Sequence, residues 1–250
     1  KRPQKGIELD GDSAVAILSF KTKAKEVIMV KVGVSPVSES NALDNITAEI
    51  PAWNFQQVAD NAYAKWNKEL GRVSVESKDI HQLRTFYTAL YHLFTAPVLF
   101  NDHNGDYRGT DKKEYKNPGF QNYTIFSLWD VYRAAQPLYT IIQPDRVPDM
   151  VQSLLAIYKQ QGKLPIWPLM GSETDCMVGY PAVPVIADAY FKGFKGIDPE
   201  LAFEAMKASS MRDDYGVNHL KTRGYIPADK EKESVSKALE YALSDWAIAQ

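Results

Sequence analysis

The spacing of apolar positions changes once along the chain. Residues 13–20 and 26–34 are apolar, β-branched runs, joined by a charged connection at 21–26. Such runs are typical of β-strands. Because two strands alone do not form a stable sheet, we expect them to complete a sheet whose other strands are missing from this chain.

After Pro36 the apolar positions recur at helical spacing. Asn54 followed by Gln57 resembles a capping box, and the apolar residues behind it predict a linker helix that ends near Gly71. A second helix is predicted over 79–93, before Pro97. Further helical runs are predicted at 126–141, 148–160, 177–190, 199–209 and 234–249.

These helices do not close a core by themselves. The last helical run still carries Leu239, Leu243 and Trp246 where the sequence stops. We therefore expect the chain to be part of a longer protein, although a small compact helical domain would also fit this pattern.

Composition excludes several classes of function. Twenty-nine Lys and Arg against 31 Asp and Glu give a formal net charge of −2, so no nucleic-acid partner is expected. No apolar run approaches the roughly 18–20 residues of a membrane span. The single cysteine, Cys176, cannot form an internal disulfide and leaves the compartment open.

The most informative segment for chemistry is 164–180. Its Pro- and Gly-rich sequence places Glu173 and Asp175 shortly before a predicted helix. Acids at such a position are either catalytic or helix-capping, and both interpretations stay open.

A second candidate segment, 127–133, carries Trp129, Asp130 and Arg133. An indole beside a carboxylate and a guanidinium suits a sugar, whose C–H face stacks and whose hydroxyls form hydrogen bonds. A helix start with a surface ion pair explains the same pattern. In the last helix, Glu240 is either a metal ligand or part of a solvated face.

Other motifs fail. The four histidines lack zinc-ligand spacing, and neither a phosphate-binding glycine loop nor a nucleophile elbow occurs. The polar loop 101–111 resembles a calcium loop only superficially. If Asp102 is position 1, positions 6 and 12 hold Tyr107 and Lys113, where the EF-hand needs Gly and an acid.

Six ordered blocks of the sequence resemble glycoside hydrolase family 92, whose members are calcium-dependent, exo-acting α-mannosidases. The resemblance extends from about residue 32 to residue 250. The blocks are residues 86–92, 106–111, 127–133, 171–180, 224–227 and 234–242.

The resemblance implies a mainly α fold with three parts. These are the last strands of an amino-terminal β-sandwich at 1–50, a linker helix at 51–75, and the first half of an (α/α)6 toroid at 76–250. It also implies a glycan substrate and a periplasmic or secreted location. The sequence does not give the oligomeric state.

The resemblance further implies hydrolysis of a terminal α-mannoside with inversion, with Glu173 as general acid, kept protonated by burial near Trp167 and Met177. Trp129, Asp130, Arg133 and Asp175 would bind substrate, and Glu240 would belong to the Ca²⁺ region. The Gly-Asn-Asp-Asp block that supplies the family's general base is absent from these 250 residues. We therefore expect this chain alone to be inactive.

Three departures from the family pattern affect this expectation. Ser172 replaces the usual Asn, Pro181 replaces a common His, and Ser244 replaces a frequent Asp. A non-catalytic relative that binds mannose or other glycans is therefore the alternative function. A helical scaffold whose aromatic residues only pack is a third.

Overall fold

The computed structural model describes residues 15–250 and divides the chain into two units, Lys1–Lys31 and Val32–Gln250. In the first unit, the described residues contain one turn, where Glu26 N–H bonds Lys23 O at 3.1 Å. All described helices and strands lie in the second unit.

The two strands predicted at 13–20 and 26–34 are not formed within residues 15–34, which hold no strand ladder. Residues 13 and 14 lie outside the described part. A strand needs a neighbour to satisfy its backbone groups, and the described chain offers none to these segments. The assignment of residues 1–50 to a β-sandwich stays a prediction.

The described residues are mainly helical, as expected. The helices are α1 (Glu39–Glu49), α2 (Phe55–Leu70), α3 (Ile80–Leu93), α4 (Leu128–Val131), α5 (Ala135–Ile142), α6 (Val147–Gln161), α7 (Ala182–Phe191), α8 (Pro199–Ser210), α9 (Val217–Arg223) and α10 (Ser234–Ala249).

Two short antiparallel pairs lie between α3 and α4. Strand β1 (Val98–Leu99) pairs with β4 (Tyr123–Thr124), and β2 (Tyr107–Arg108) pairs with β3 (Glu114–Tyr115). The β2–β3 hairpin contains residues 107–111 of the polar loop 101–111.

Helix ends agree with the capping signals. Asn54, Asp79 and Asp198 each accept a hydrogen bond from a backbone N–H in the first turn of their helix. Gly162 ends α6 in the left-handed conformation, with φ 78°.

Two predicted helices begin late or break, and a proline explains each. The 126–141 run is interrupted after Val131 and resumes at Ala135, and the 177–190 run begins only at Ala182. Pro137 and Pro184 thereby fall in a first helical turn, where the missing N–H and the ring are tolerated.

The core lies among α5, α6, α7, α8 and α10, with α7 in contact with each of the others. Val151, Leu154, Val183 and Ile186 are completely buried there. Tyr139 on α5 is also buried, and its hydroxyl contacts the carbonyls of Leu93 (2.8 Å) and Ala96 (3.1 Å) after α3.

Candidate active site

The segment between α6 and α7 forms an ordered loop. Leu169 and Ser172 exchange backbone hydrogen bonds of 2.7 and 3.0 Å around a two-residue turn. Both central residues, Met170 and Gly171, have positive φ (48° and 71°), as in a type I′ hairpin turn. Glu173 follows this turn and pairs with Pro168 across the hairpin.

The Glu173 carboxylate organises this loop. Its Oε1 accepts the backbone N–H groups of Trp167 (2.8 Å), Thr174 (2.9 Å) and Asp175 (2.9 Å), and its Oε2 accepts that of Ile166 (2.8 Å). Four donors match an ionised carboxylate, which is an acceptor only.

The sequence placed Glu173 just before a helix, and this was wrong, because α7 begins nine residues later, at Ala182. The side chain is half-buried. Its carboxylate oxygens are bonded to the loop's own N–H donors, including that of Trp167.

Neighbouring segments hold the loop in place. Lys112 of the β2–β3 hairpin donates to Gly171 O (2.7 Å) and Ser172 Oγ (2.6 Å). Thr124 Oγ1 accepts the Met170 N–H at 2.9 Å. A Cβ on Gly171 would lie 3.1 Å from Arg108 O, so the hairpin approaches this turn closely.

A second cluster joins the α4–α5 break to α10. Arg133 Nη2 donates to Glu240 Oε1 at 2.5 Å, and the Tyr132 hydroxyl donates to Glu240 Oε2 at 2.6 Å. The hydrogen bond to Glu240 raises the pKa of Arg133, while burial, followed by the bond to Glu240, raises the pKa of Tyr132. Gly179, with φ 81°, makes room, since a Cβ there would lie 2.8 Å from Glu240 Cβ.

Trp129 and Asp130 lie beside this cluster. The Arg133 guanidinium is 5.8 Å from the Trp129 ring centroid and 4.3 Å from that of Tyr132. Trp129 Nε1 is buried and has no hydrogen-bond partner among the described residues. Asp130 is exposed and accepts a hydrogen bond from Ser127 Oγ.

Ser127 connects the two parts of the site. Its Oγ also accepts from Trp167 Nε1 at 2.9 Å, and the Trp167 backbone N–H binds Glu173. The chain Glu173–Trp167–Ser127–Asp130 thus spans residues that are more than 40 positions apart in sequence.

Asp175 has a different partner. Both of its carboxylate oxygens accept from Lys163 Nζ, at 2.7 and 2.6 Å. Among the described residues the carboxylate is therefore already engaged in an ion pair. Only its backbone N–H, bound to Glu173, ties Asp175 to the other predicted site residues.

Glu240, the predicted member of the Ca²⁺ region, is engaged by other side chains. Its carboxylate accepts hydrogen bonds from Arg133 and Tyr132. No group of three or more His, Cys, Asp or Glu side chains among residues 15–250 is arranged to hold a metal ion. Ca²⁺ binding stays a prediction of the family resemblance.

The geometry brings Trp129, Arg133 and Glu240 together, and it links Asp130 to Glu173 through Ser127 and Trp167. Three further side chains of the site were not assigned from the sequence: Tyr132, Ser127 and Lys112. Tyr132 and Ser127 lie inside the recognised block 127–133. Nothing in the sequence indicated that Tyr132 would contact Glu240, which is 108 residues away.

Comparison with known proteins identifies the family. The sequence profile described as the glycosyl hydrolase family 92 catalytic domain matches residues 41–250. The chain belongs to glycosyl hydrolase family 92. The resemblance drawn from the six sequence blocks is thereby confirmed.

Solved structures of enzymes of glycosyl hydrolase family 92 (GH92) share the fold of this chain. A family GH92 alpha-mannosidase from Bacteroides thetaiotaomicron is 44% identical, with a TM-score of 0.82 over 86% of this chain and 29% of its own. A family GH92 inverting mannosidase from strain VPI-5482 of the same species is 31% identical, with a TM-score of 0.80 over 86% of this chain and 30% of its own. This confirms the fold class, a mainly α part of the (α/α)6 toroid.

A curated relative is described as an uncharacterized secreted glycosidase from Arthroderma benhamiae. It is 30% identical over 243 residues, which cover 88% of this chain and 27% of the relative. The GH92 chain thus spans less than a third of the length of each of these proteins. No helix within residues 15–250 is long and apolar enough to cross a membrane.

Proposed function

We propose that the protein containing this GH92 segment is an exo-acting α-mannosidase that removes terminal α-linked mannose from glycans with inversion. The observation that carries this proposal is the 44% identity and common fold with a family GH92 alpha-mannosidase. The similar inverting mannosidase supports the stereochemistry. A secreted or periplasmic location is proposed in line with the secreted relative.

Trp129, Asp130 and Arg133 are the proposed contacts to the terminal mannose. The indole offers an apolar face, while the half-exposed Arg133 and the exposed Asp130 offer a donor and an acceptor. Glu240 fixes the Arg133 guanidinium, so this donor is oriented before a sugar arrives. Asp175, paired with Lys163, would need to exchange that partner to bind a hydroxyl.

Inverting hydrolysis needs a carboxylic acid that protonates the leaving oxygen and a carboxylate that activates water, about 6.5–9.5 Å apart. The general-acid role of Glu173 stays a prediction. Its carboxylate oxygens accept four backbone N–H groups, so the geometry supports an ordering role within the loop. We propose that the general base lies outside these 250 residues, since the chain spans 29% of the similar mannosidase.

Calcium binding stays a prediction from the family resemblance. Its test is chelation of the full-length protein, which should abolish activity that added Ca²⁺ restores. Activity unaffected by exhaustive chelation would remove the cation from the proposal.

The function is tested with full-length protein on aryl α-mannosides, β-mannosides and α-glucosides. We expect turnover of the α-mannoside alone. The second candidate, a non-catalytic glycan-binding relative, is favoured by the engagement of the Glu173 carboxylate. Calorimetry that detects mannobiose binding without any turnover would establish it in place of the enzyme.

A further inference from the structure

A cleft of about 540 Å³ opens between α6 and the β2–β3 hairpin. None of its lining residues is Trp129, Asp130, Arg133, Glu173 or Glu240. Its volume is within the range of small-molecule sites. The cleft is therefore separate from the candidate active site.

One wall of the cleft is a face of α6. Asp149, Gln152, Ala156 and Gln160 follow one another at helical spacing, with Lys159 beside the last. Asp149 and Lys159 are ten positions apart, which corresponds to about 15 Å along the helix. This length exceeds a single pyranose ring.

Two polar ends of this wall are available to a ligand. The Asp149 carboxylate and the Lys159 ammonium make no hydrogen bond or ion pair with another described residue. Gln152 uses its amide N–H on Gly196 O, which leaves its Oε1 as an acceptor. One carboxylate and one ammonium cancel in charge, so the wall suits a neutral ligand rich in hydroxyls.

The opposite wall is aromatic. Tyr107 and Tyr115 are stacked, with centroids 5.2 Å apart and an interplanar angle of 17°, and Phe120 lies 6.2 Å from Tyr107. A hydrogen bond of 3.0 Å from Gln160 Nε2 to the Tyr107 hydroxyl connects this wall to α6. Tyr107 is buried, so the partly exposed Tyr115 and Phe120 supply the aromatic surface of the cleft. Aromatic surface together with polar side chains matches the two sides of a pyranose, with its C–H face and its hydroxyls.

We propose that this cleft is a second saccharide-binding site, which takes a neutral di- or oligosaccharide unit of a glycan at a distance from the reacting sugar. Such a site would give a long glycan a second point of attachment and so raise the apparent affinity of the protein for that glycan. The choice of mannan as the probe rests on the proposed function, whereas the cleft itself does not.

The test is retardation of the full-length protein in native gels containing yeast mannan, with turnover of an aryl α-mannoside measured in parallel. Ala156→Phe should fill the cleft, and Lys159→Met should remove a donor. Each should weaken the apparent affinity for mannan at least threefold while leaving aryl mannoside turnover unchanged. Lys207→Met is the matched control, because Lys207 also lies in the last turn of its helix but not in the cleft.

Equal retardation of wild type and folded Ala156→Phe, or of wild type and Lys159→Met, would overturn the site, as would the absence of any retardation of wild type. Thermal melting checks that each variant is folded. Failure of the proposed function would appear separately, as a wild-type protein without aryl mannoside turnover that mannan still retards.

Discussion

At the scale of single residues, Glu173 is the side chain whose role is most in question. An ionised carboxylate that accepts four backbone N–H groups stabilises the loop between α6 and α7. A general acid must instead carry a proton toward the leaving oxygen. These two roles predict different behaviour for one substitution.

Glu173→Gln in the full-length protein separates the roles. In the ordering role, the amide replaces one acceptor by a donor that faces an N–H group, so stability falls by roughly 1–3 kcal/mol and all aryl mannosides are hydrolysed more slowly by a similar factor. The readouts are the melting temperature and a series of leaving groups.

In the acid role, the same variant would keep its melting temperature and its activity on mannosides with good leaving groups. It would lose activity only where the leaving group is poor. That pattern would return Glu173 to the general-acid position and contradict the ordering role.

At the scale of elements, the β2–β3 hairpin supports the candidate active-site loop. Lys112 reaches across to Gly171 and Ser172, whereas the adjacent Lys113 only pairs with Asp111 at 3.3 Å and is largely exposed. The two neighbours therefore form a natural comparison.

Lys112→Met should release the loop locally. We expect the free energy of local opening to fall by about 1 kcal/mol. Amide exchange over residues 170–175, measured by hydrogen–deuterium exchange, should then be about fivefold faster. Lys113→Met should exchange like the wild type. Equal rates in the two variants would show that Lys112 does not hold the loop.

A buried polar network fixes the other side of the hairpin. Asp102 accepts from Ser35 (2.7 Å), Asn41 (2.8 Å) and Asn45 (2.8 Å), and Asp106 accepts from Lys116 at 3.0 Å. This network ties α1 and the residues before it to the hairpin.

The pH dependence of this network follows from Asp106. The hydrogen bond from Lys116, with further bonds from Asn41 and Asn117, lowers the pKa of Asp106 below its ordinary value. Its stabilisation is therefore complete above about pH 4 and is lost as the pH falls through the lower folded-state pKa.

Asp106→Asn should accordingly lower the melting temperature near pH 7, with a difference from wild type that shrinks toward pH 3. The exposed Asp44→Asn is the control and should change little at either pH. A difference for Asp106→Asn that is as large at pH 3 as at pH 7 would contradict this account.

Sequence patterns predicted most helices because their caps and apolar spacing are local. The predicted helix starts after Asn54, at residue 79 and at residue 199 agree with the structure to within one residue. Two helices, α1 and α9, were missed. The first is mostly polar, and the second has seven residues between Gly216 and Gly224.

The site was predictable only in part. Trp129, Asp130 and Arg133 lie in one short motif, but the contact of Arg133 with Glu240 joins residues 107 positions apart. The loop role of Glu173 depends on where four backbone N–H groups point. Neither is encoded in local spacing.

At the scale of the whole molecule, the described chain leaves apolar surface on its last helix. Leu239, Leu243 and Trp246 of α10 are 69%, 40% and 61% exposed, as their positions in the sequence suggested. Such a face agrees with a part of a toroid rather than a self-contained helical scaffold. The GH92 fold of the similar mannosidases supports the same conclusion.

Proton NMR of the full-length protein with an aryl α-mannoside, followed from the first turnover, tests whether this GH92 protein is an inverting mannosidase. Because this substrate yields a single sugar product, we expect mannose to appear first as the β anomer and then to mutarotate. Release of the α anomer first would contradict inversion, and a substrate left intact under conditions where the protein binds it would contradict the mannosidase.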